Sequence, residues 1–142
     1  MTERDEVVMS PRPSPRHQAL ASDVVFQLTR KLGVRAVQQA PVLTPEFGIR
    51  FPDGVWAPAA RWAGLDLDKP LPFVPDICIE VLAAADRRFD VDQRIQAYIR
   101  GGAREVVVVG TSGELEYWTA QGQGRESCLD CSLILDQTLL RS

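Results

Sequence analysis

Two acids in this sequence sit where an acid is costly unless it has a task. Asp53 precedes the short apolar run Val55 to Ala57, and Glu80 is the one charge inside the near-continuous apolar run Ile77 to Leu82. An ionised carboxylate in such a run costs several kcal/mol unless it is paired or holds a cation. If the two runs are neighbouring strands, the carboxylates converge. Two oxygen-donor acids with a main-chain carbonyl and water suit a hard Mg²⁺ or Mn²⁺ ion. A purely structural account uses the same residues: Pro52-Asp53-Gly54 is a common turn tripeptide, and Glu80 can pair with Arg94 or Arg88.

The other chemically capable residues are few. Cys128 and Cys131 form a Cys-Leu-Asp-Cys spacing, and His17 is the only histidine. A structural zinc site wants four ligands, so the three cysteines, Cys78 among them, are read as buried small hydrophobes. Of sixteen basic residues only Lys31 and Lys69 are lysine, which leaves few candidates for any role requiring one.

The elements that would position the acids follow from periodicity. Ser14 is placed to cap a helix with Pro15 in its first turn, Leu20, Val24, Leu28 and Leu32 repeat every four residues, and Gly33 ends it. The stretches 34–42 and 47–51 alternate around Pro45 and Gly48, predicting two strands in a hairpin. The 58–75 connection is rich in Asp, Pro and Gly, with Trp62, Leu65 and Phe73 to pin it down, and connections that long are usually functional or mobile. Ile77 to Leu82 and Glu105 to Val109 read as strands buried on both faces. Between them Val91, Ile95, Tyr98 and Ile99 define a second helix, with Asp86 or Asp90 to cap it and Gly101-Gly102 to stop it, making a parallel right-handed crossover. Residues 114–119 add a hairpin partner, and Leu129 to Leu135 an edge. The order predicts one α/β domain over 1–142 with a mixed sheet.

Composition bounds the function. A 142-residue chain that is 45% hydrophobic suffices for one core, and a net charge of -3 gives no global basic field, so a polyanion would need a local cluster or a metal. Arg87, Arg88, Arg94, Arg100 and Arg104 offer such a cluster around the second helix, although exposed arginines are more often a solvated face. Trp56, Trp62 and Trp118 are expected in the core or a dimer interface. With a charged start and no run of ~20 apolar residues, a cytosolic (cytoplasmic) protein is expected.

Phe51-Pro52-Asp53-Gly54-Val55-Trp56 and Pro75-Asp76-Ile77-Cys78-Ile79-Glu80-Val81-Leu82 resemble the paired signatures of the PD-(D/E)XK nuclease superfamily, and more narrowly those of its small single-domain putative restriction endonuclease family. Val8-Met9-Ser10-Pro11 with His17 resembles that family's entry into its first helix. Asp90, Arg94, Tyr98 and Gly102-Ala103-Arg104-Glu105 resemble its second helix and following strand. The resemblance implies a restriction-endonuclease-like core of helix, three strands, helix and strand, with a C-terminal hairpin added here.

It also implies a metal-dependent endonuclease acting on DNA, with Asp53, Glu80 and the Val81 carbonyl holding Mg²⁺ or Mn²⁺, and a homodimer by analogy with nucleases that cut both strands. The superfamily's usual lysine position, two residues after the second acid, is Leu82. The family instead supplies a lysine four residues before the tyrosine, where this chain has Arg94. A guanidinium grips phosphate well and stays protonated, so Arg94 can hold a phosphate and cannot serve as a base. His17, Arg88, Asp90, Gln93 and Tyr98 are then candidates for substrate contact or support of the metal ligands. For His17, a bond to the preceding loop is preferred to a general-base role. The alternative reading of the whole is a catalytically inactive nuclease fold that binds or interacts.

Overall fold

The computed structural model describes residues 14–129 and 131–140; Val8 to Pro11 lie outside them. Helix α1 spans Pro15–Leu32. It starts because Ser14 is extended and its hydroxyl accepts the His17 N–H at 3.2 Å. It stops because Gly33, at φ 76°, turns left-handed and donates its N–H to Thr29. Leu20, Ala21, Val24 and Leu28 form its buried face.

The first strands differ from expectation. Residues 34–42 do not form one strand, because Gln39 takes a positive φ of 54° and Pro41 follows. The break yields β1 (Val37–Gln38) and β2 (Val42–Thr44). The hairpin is β2 with β3 (Gly48–Arg50), a separate two-stranded sheet, whereas β1 joins the main sheet beside β4 (Gly54–Trp56). The 58–75 connection carries one short helix, α2 (Ala59–Trp62), and is tied down by main-chain bonds. Leu71 donates to Pro41 and Leu43 donates to Leu71. The Arg61 guanidinium lies 4.0 Å from the Phe73 ring centre and 2.8 Å from Asp76.

Strand β5 (Ile77–Val81), helix α3 (Arg88–Gly101) and strand β6 (Glu105–Val109) form the expected crossover, with β5 and β6 parallel. Strands β7 (Leu115–Thr119) and β8 (Gly122–Gly124) follow, giving the order β1-β4-β5-β6-β7-β8 with every other pairing antiparallel. Every residue of β5 and β6 is buried. Ile77, Ile79 and Val81 pack with Val107, Val109 and α1; Cys78 packs with Val106, Val108 and the Val91, Ile95 and Tyr98 face of α3. Period-two alternation therefore assigns Glu80, two residues from Cys78, to the α3 side.

Two further expectations are corrected. Neither Asp86 nor Asp90 caps α3: the capping position is Arg87, without a side-chain bond, and Asp90 lies in the first turn. The described residues of Leu129 to Leu135 belong to no strand, and β8 is the edge. Cys131, Leu133 and Leu135 still point inward with period two, but the backbone is held by side chains. Leu133 donates to the Tyr117 hydroxyl at 3.1 Å, Gln27 bonds both polar groups of the Ile134 backbone, and Lys31 donates to the Ser132 carbonyl. Cys128, unlike the two buried cysteines, is exposed.

Candidate active site

The β4–β5 ladder places the acids. Gly54 lies opposite Ile79 and Val55 opposite Cys78, and Asp53, the next residue of the chain, is brought next to Glu80 where the regular pairing stops. Two like charges side by side in a buried place repel. The ladder does not end in disorder at this point. Asp53 donates its N–H to Ile79 at 2.9 Å, accepts the Gln39 N–H, and takes the Val81 N–H on carboxylate Oδ2 at 2.7 Å. Gly54 lets α1 come close, since a Cβ there would lie 2.9 Å from Val25 Cγ2.

Both acids are buried, Glu80 more deeply. Burial first, then the Asp53 charge, push the Glu80 carboxyl up to about 8, against the opposing pull of Arg94 and of the Tyr98 hydroxyl. Tyr98, fully buried on α3, donates to Glu80 Oε1 at 2.6 Å, and burial followed by the Glu80 charge raises its own phenol well above the usual range. Arg94 lies one turn earlier. Its Nε is 3.6 Å from Glu80 Oε2, too far for a hydrogen bond, while its Nη2 bonds Asp86 at 3.2 Å. Burial works against its charge, yet Glu80 and Asp86 outweigh it and raise the pKa. The pairing choice left open in the sequence falls to Arg94.

His17 reaches the same place from α1. Its Nε2 is 2.8 Å from the Val81 carbonyl and 3.4 Å from Asp53 Oδ1, and its pKa is raised chiefly by the hydrogen bond to Asp53, with burial opposing. The expected ring contact with the preceding loop is replaced by this one; only the His17 backbone bonds Ser14. Buried His17 Nδ1 and Arg94 Nε have no hydrogen-bond partner among the described residues.

A hard divalent cation fits this donor set in kind. Asp53 Oδ1, the Glu80 carboxylate and the Val81 carbonyl are all oxygens, and a cation would offset both the burial of Glu80 and the Asp53 charge beside it. Among the described residues no group of three or more His, Cys, Asp and Glu side chains could hold a metal ion. Any such site would therefore need the carbonyl and water to complete it.

The remaining candidates lie elsewhere. Arg88 turns away from Glu80: its guanidinium forms a two-pronged pair with Glu116 on β7, a bond to Asp92, and stands 5.8 Å from the Trp118 ring centre. Asp90 and Gln93 are exposed, and no bond among the described residues joins them to the acids. Of the arginine cluster, Arg88, Arg94 and Arg100 are matched by acids, which leaves Arg87 and Arg104 at opposite ends of α3. Asp86 is the residue that sequence reasoning missed. Its only signal was that it precedes α3, which suggested a cap; its contact with Arg94 spans eight positions across a turn.

A mixed sheet with helices on both faces, two adjacent buried acids at the ends of central strands and a helix supplying tyrosine and arginine to them defines a restriction-endonuclease-like fold. The family model described as Uma2, Putative restriction endonuclease, matches residues 4–128, and the chain belongs to that family. The crystal structure of a putative nuclease belonging to DUF820 from Anabaena variabilis ATCC 29413 shares the fold, with a TM-score of 0.71 at 16% identity, over 93% of this chain and 78% of that one. No curated protein matches the chain. No described helix is long and apolar enough to cross a membrane.

Proposed function

We propose that the protein is a metal-dependent endonuclease hydrolysing DNA phosphodiester bonds at Asp53 and Glu80. The observation that carries the reading is that these two acids lie side by side in a buried place, with Glu80 lifted to about 8 by burial and by the Asp53 charge beside it. Family membership supports the same class of activity. Asp53, Glu80 and the Val81 carbonyl would hold Mg²⁺ or Mn²⁺. When bound, such an ion supplies an acidified water and neutralises charge on a phosphodiester.

The chain's own groups have separable tasks in this reading. Tyr98 fixes the rotamer of Glu80 through its 2.6 Å bond. Arg94, always protonated, would offer its guanidinium charge to the phosphodiester and takes no proton. The His17 ring occupies the Val81 carbonyl and the Asp53 carboxylate, so it must yield that oxygen when the carbonyl turns to another partner. A homodimer would present two such sites to the two strands of a duplex.

Purified protein incubated with plasmid and Mg²⁺ or Mn²⁺ should nick or linearise it, and Asp53→Ala should abolish the cutting. Because Asp53 also holds the Val81 N–H, Asp53→Asn is the cleaner variant, since its amide oxygen can keep that bond. Undiminished cutting by either variant would refute the assignment. A second reading, a nuclease fold that binds without cutting, is favoured by the engagement of Arg94 with two acids of its own chain. That reading expects no turnover even after Arg94→Lys.

A further inference from the structure

Arg94 has two carboxylates within reach and hydrogen-bonds only one of them. Its Nη2 is 3.2 Å from Asp86 Oδ1, while Nε stops 3.6 Å short of Glu80 Oε2 and remains buried without a hydrogen-bond partner among the described residues. A buried unsatisfied donor is expensive, and a guanidinium beside a carboxylate gains most from a parallel two-bond pair. A few tenths of an ångström of movement would bring Nε within hydrogen-bond distance of Glu80. Asp86 prevents it.

Asp86 is itself anchored. Its Oδ2 accepts the Ala83 N–H at 2.7 Å and its own N–H returns to the Ala83 carbonyl at 3.0 Å, closing a tight turn between β5 and α3. The carboxylate caps no helix and is only slightly exposed, so its free oxygen is aimed at Arg94.

We infer that Asp86 is a positioning residue that holds the Arg94 guanidinium off Glu80, leaving the Glu80 carboxylate to a cation. This rests on the metal-site reading above and adds to it a reason why arginine is workable at that position. A long guanidinium beside a cation-binding acid needs a second acid to restrain it.

Removing the restraint should let Arg94 close on Glu80 and compete with the cation. In calorimetric titrations with Mn²⁺ alone, Asp86→Ala should bind about 10-fold more weakly than the unmodified protein, at the lower end of the usual cost of disturbing groups behind metal ligands. The loss should vanish in an Arg94→Ala background, because a double-mutant cycle isolates an effect that runs through the partner. Asp86→Asn, which keeps one acceptor oxygen, should fall between and serves if the alanine variant does not fold. In the metal-free protein the Arg94 Nε–H resonance should move downfield in Asp86→Ala as it bonds Glu80. An unmoved resonance together with unchanged Mn²⁺ affinity overturns the inference, as does a loss of affinity that persists without Arg94. A moved resonance in a protein that takes up no Mn²⁺ leaves the positioning role standing and defeats the metal reading instead.

Discussion

Raising the pH of the cation-free protein should destabilise it, and Glu80 is the reason. Its carboxyl goes from an ordinary 4.5 to about 8 on folding, so between those values the folded chain holds a proton that the unfolded chain has released. Stability falls with pH wherever the folded state binds more protons, at about 1.4 kcal/mol per pH unit for one proton. The whole span thus approaches about 5 kcal/mol, and since the proton is shared by the Asp53 and Glu80 pair, a few kcal/mol is the working figure. The benefit is complete below about 4.5 and gone above about 8. His17, raised by its bond to Asp53, contributes in the same direction above its ordinary 6.5, so a shallow slope remains without Glu80. Urea unfolding in a chelator at half-unit intervals from pH 5 to 8.5 measures the effect. The unmodified protein should lose a few kcal/mol over that range and Glu80→Gln most of that less. Curves of equal slope for the two proteins, or a stability that rises with pH, would refute the account of the buried acid pair.

Two further outcomes follow from the same geometry. Tyr98→Phe removes a bond that lowers the Glu80 pKa, so Glu80 should titrate above about 8 by carbon NMR, with an unfolding cost of roughly 1–3 kcal/mol from the unpaired buried oxygen. Gly101→Ala would put a Cβ 2.2 Å from Val74 Cγ2 and 3.3 Å from Pro45 Cδ, and thermal unfolding should register a loss of about 1–3 kcal/mol that Val74→Ala partly restores.

The sequence disclosed what local rules control. The α1 boundaries follow from Ser14, Pro15 and Gly33, each acting on its own turn. The two buried strands follow from runs of Ile and Val that no half-exposed strand would carry. Illegible were features decided by partners far along the chain. Residues 34–42 alternate like one strand, and only the positive φ at Gln39 and the pull of β4 on one side and β3 on the other divide them. Cys131, Leu133 and Leu135 alternate too, yet side chains, Tyr117 at Leu133 and Gln27 at Ile134, bond this backbone where a strand would have done so. At the site, Asp53, Glu80, Arg94 and Tyr98 were all readable and do come together. Arg88 was misplaced, because helical spacing says which face a residue shares and not which acid across the sheet, here Glu116, will claim it.

The bond from the Val81 N–H to Asp53 has a genealogical consequence. Asp53 finishes the β4–β5 pairing with its side chain, so the fold needs it whether or not any phosphodiester is ever cut. Among the described residues Arg94 makes no such bond to the sheet backbone. The presence of that aspartate in a related chain is therefore weak testimony of activity, and the identity of the residue one turn before the tyrosine is the better witness.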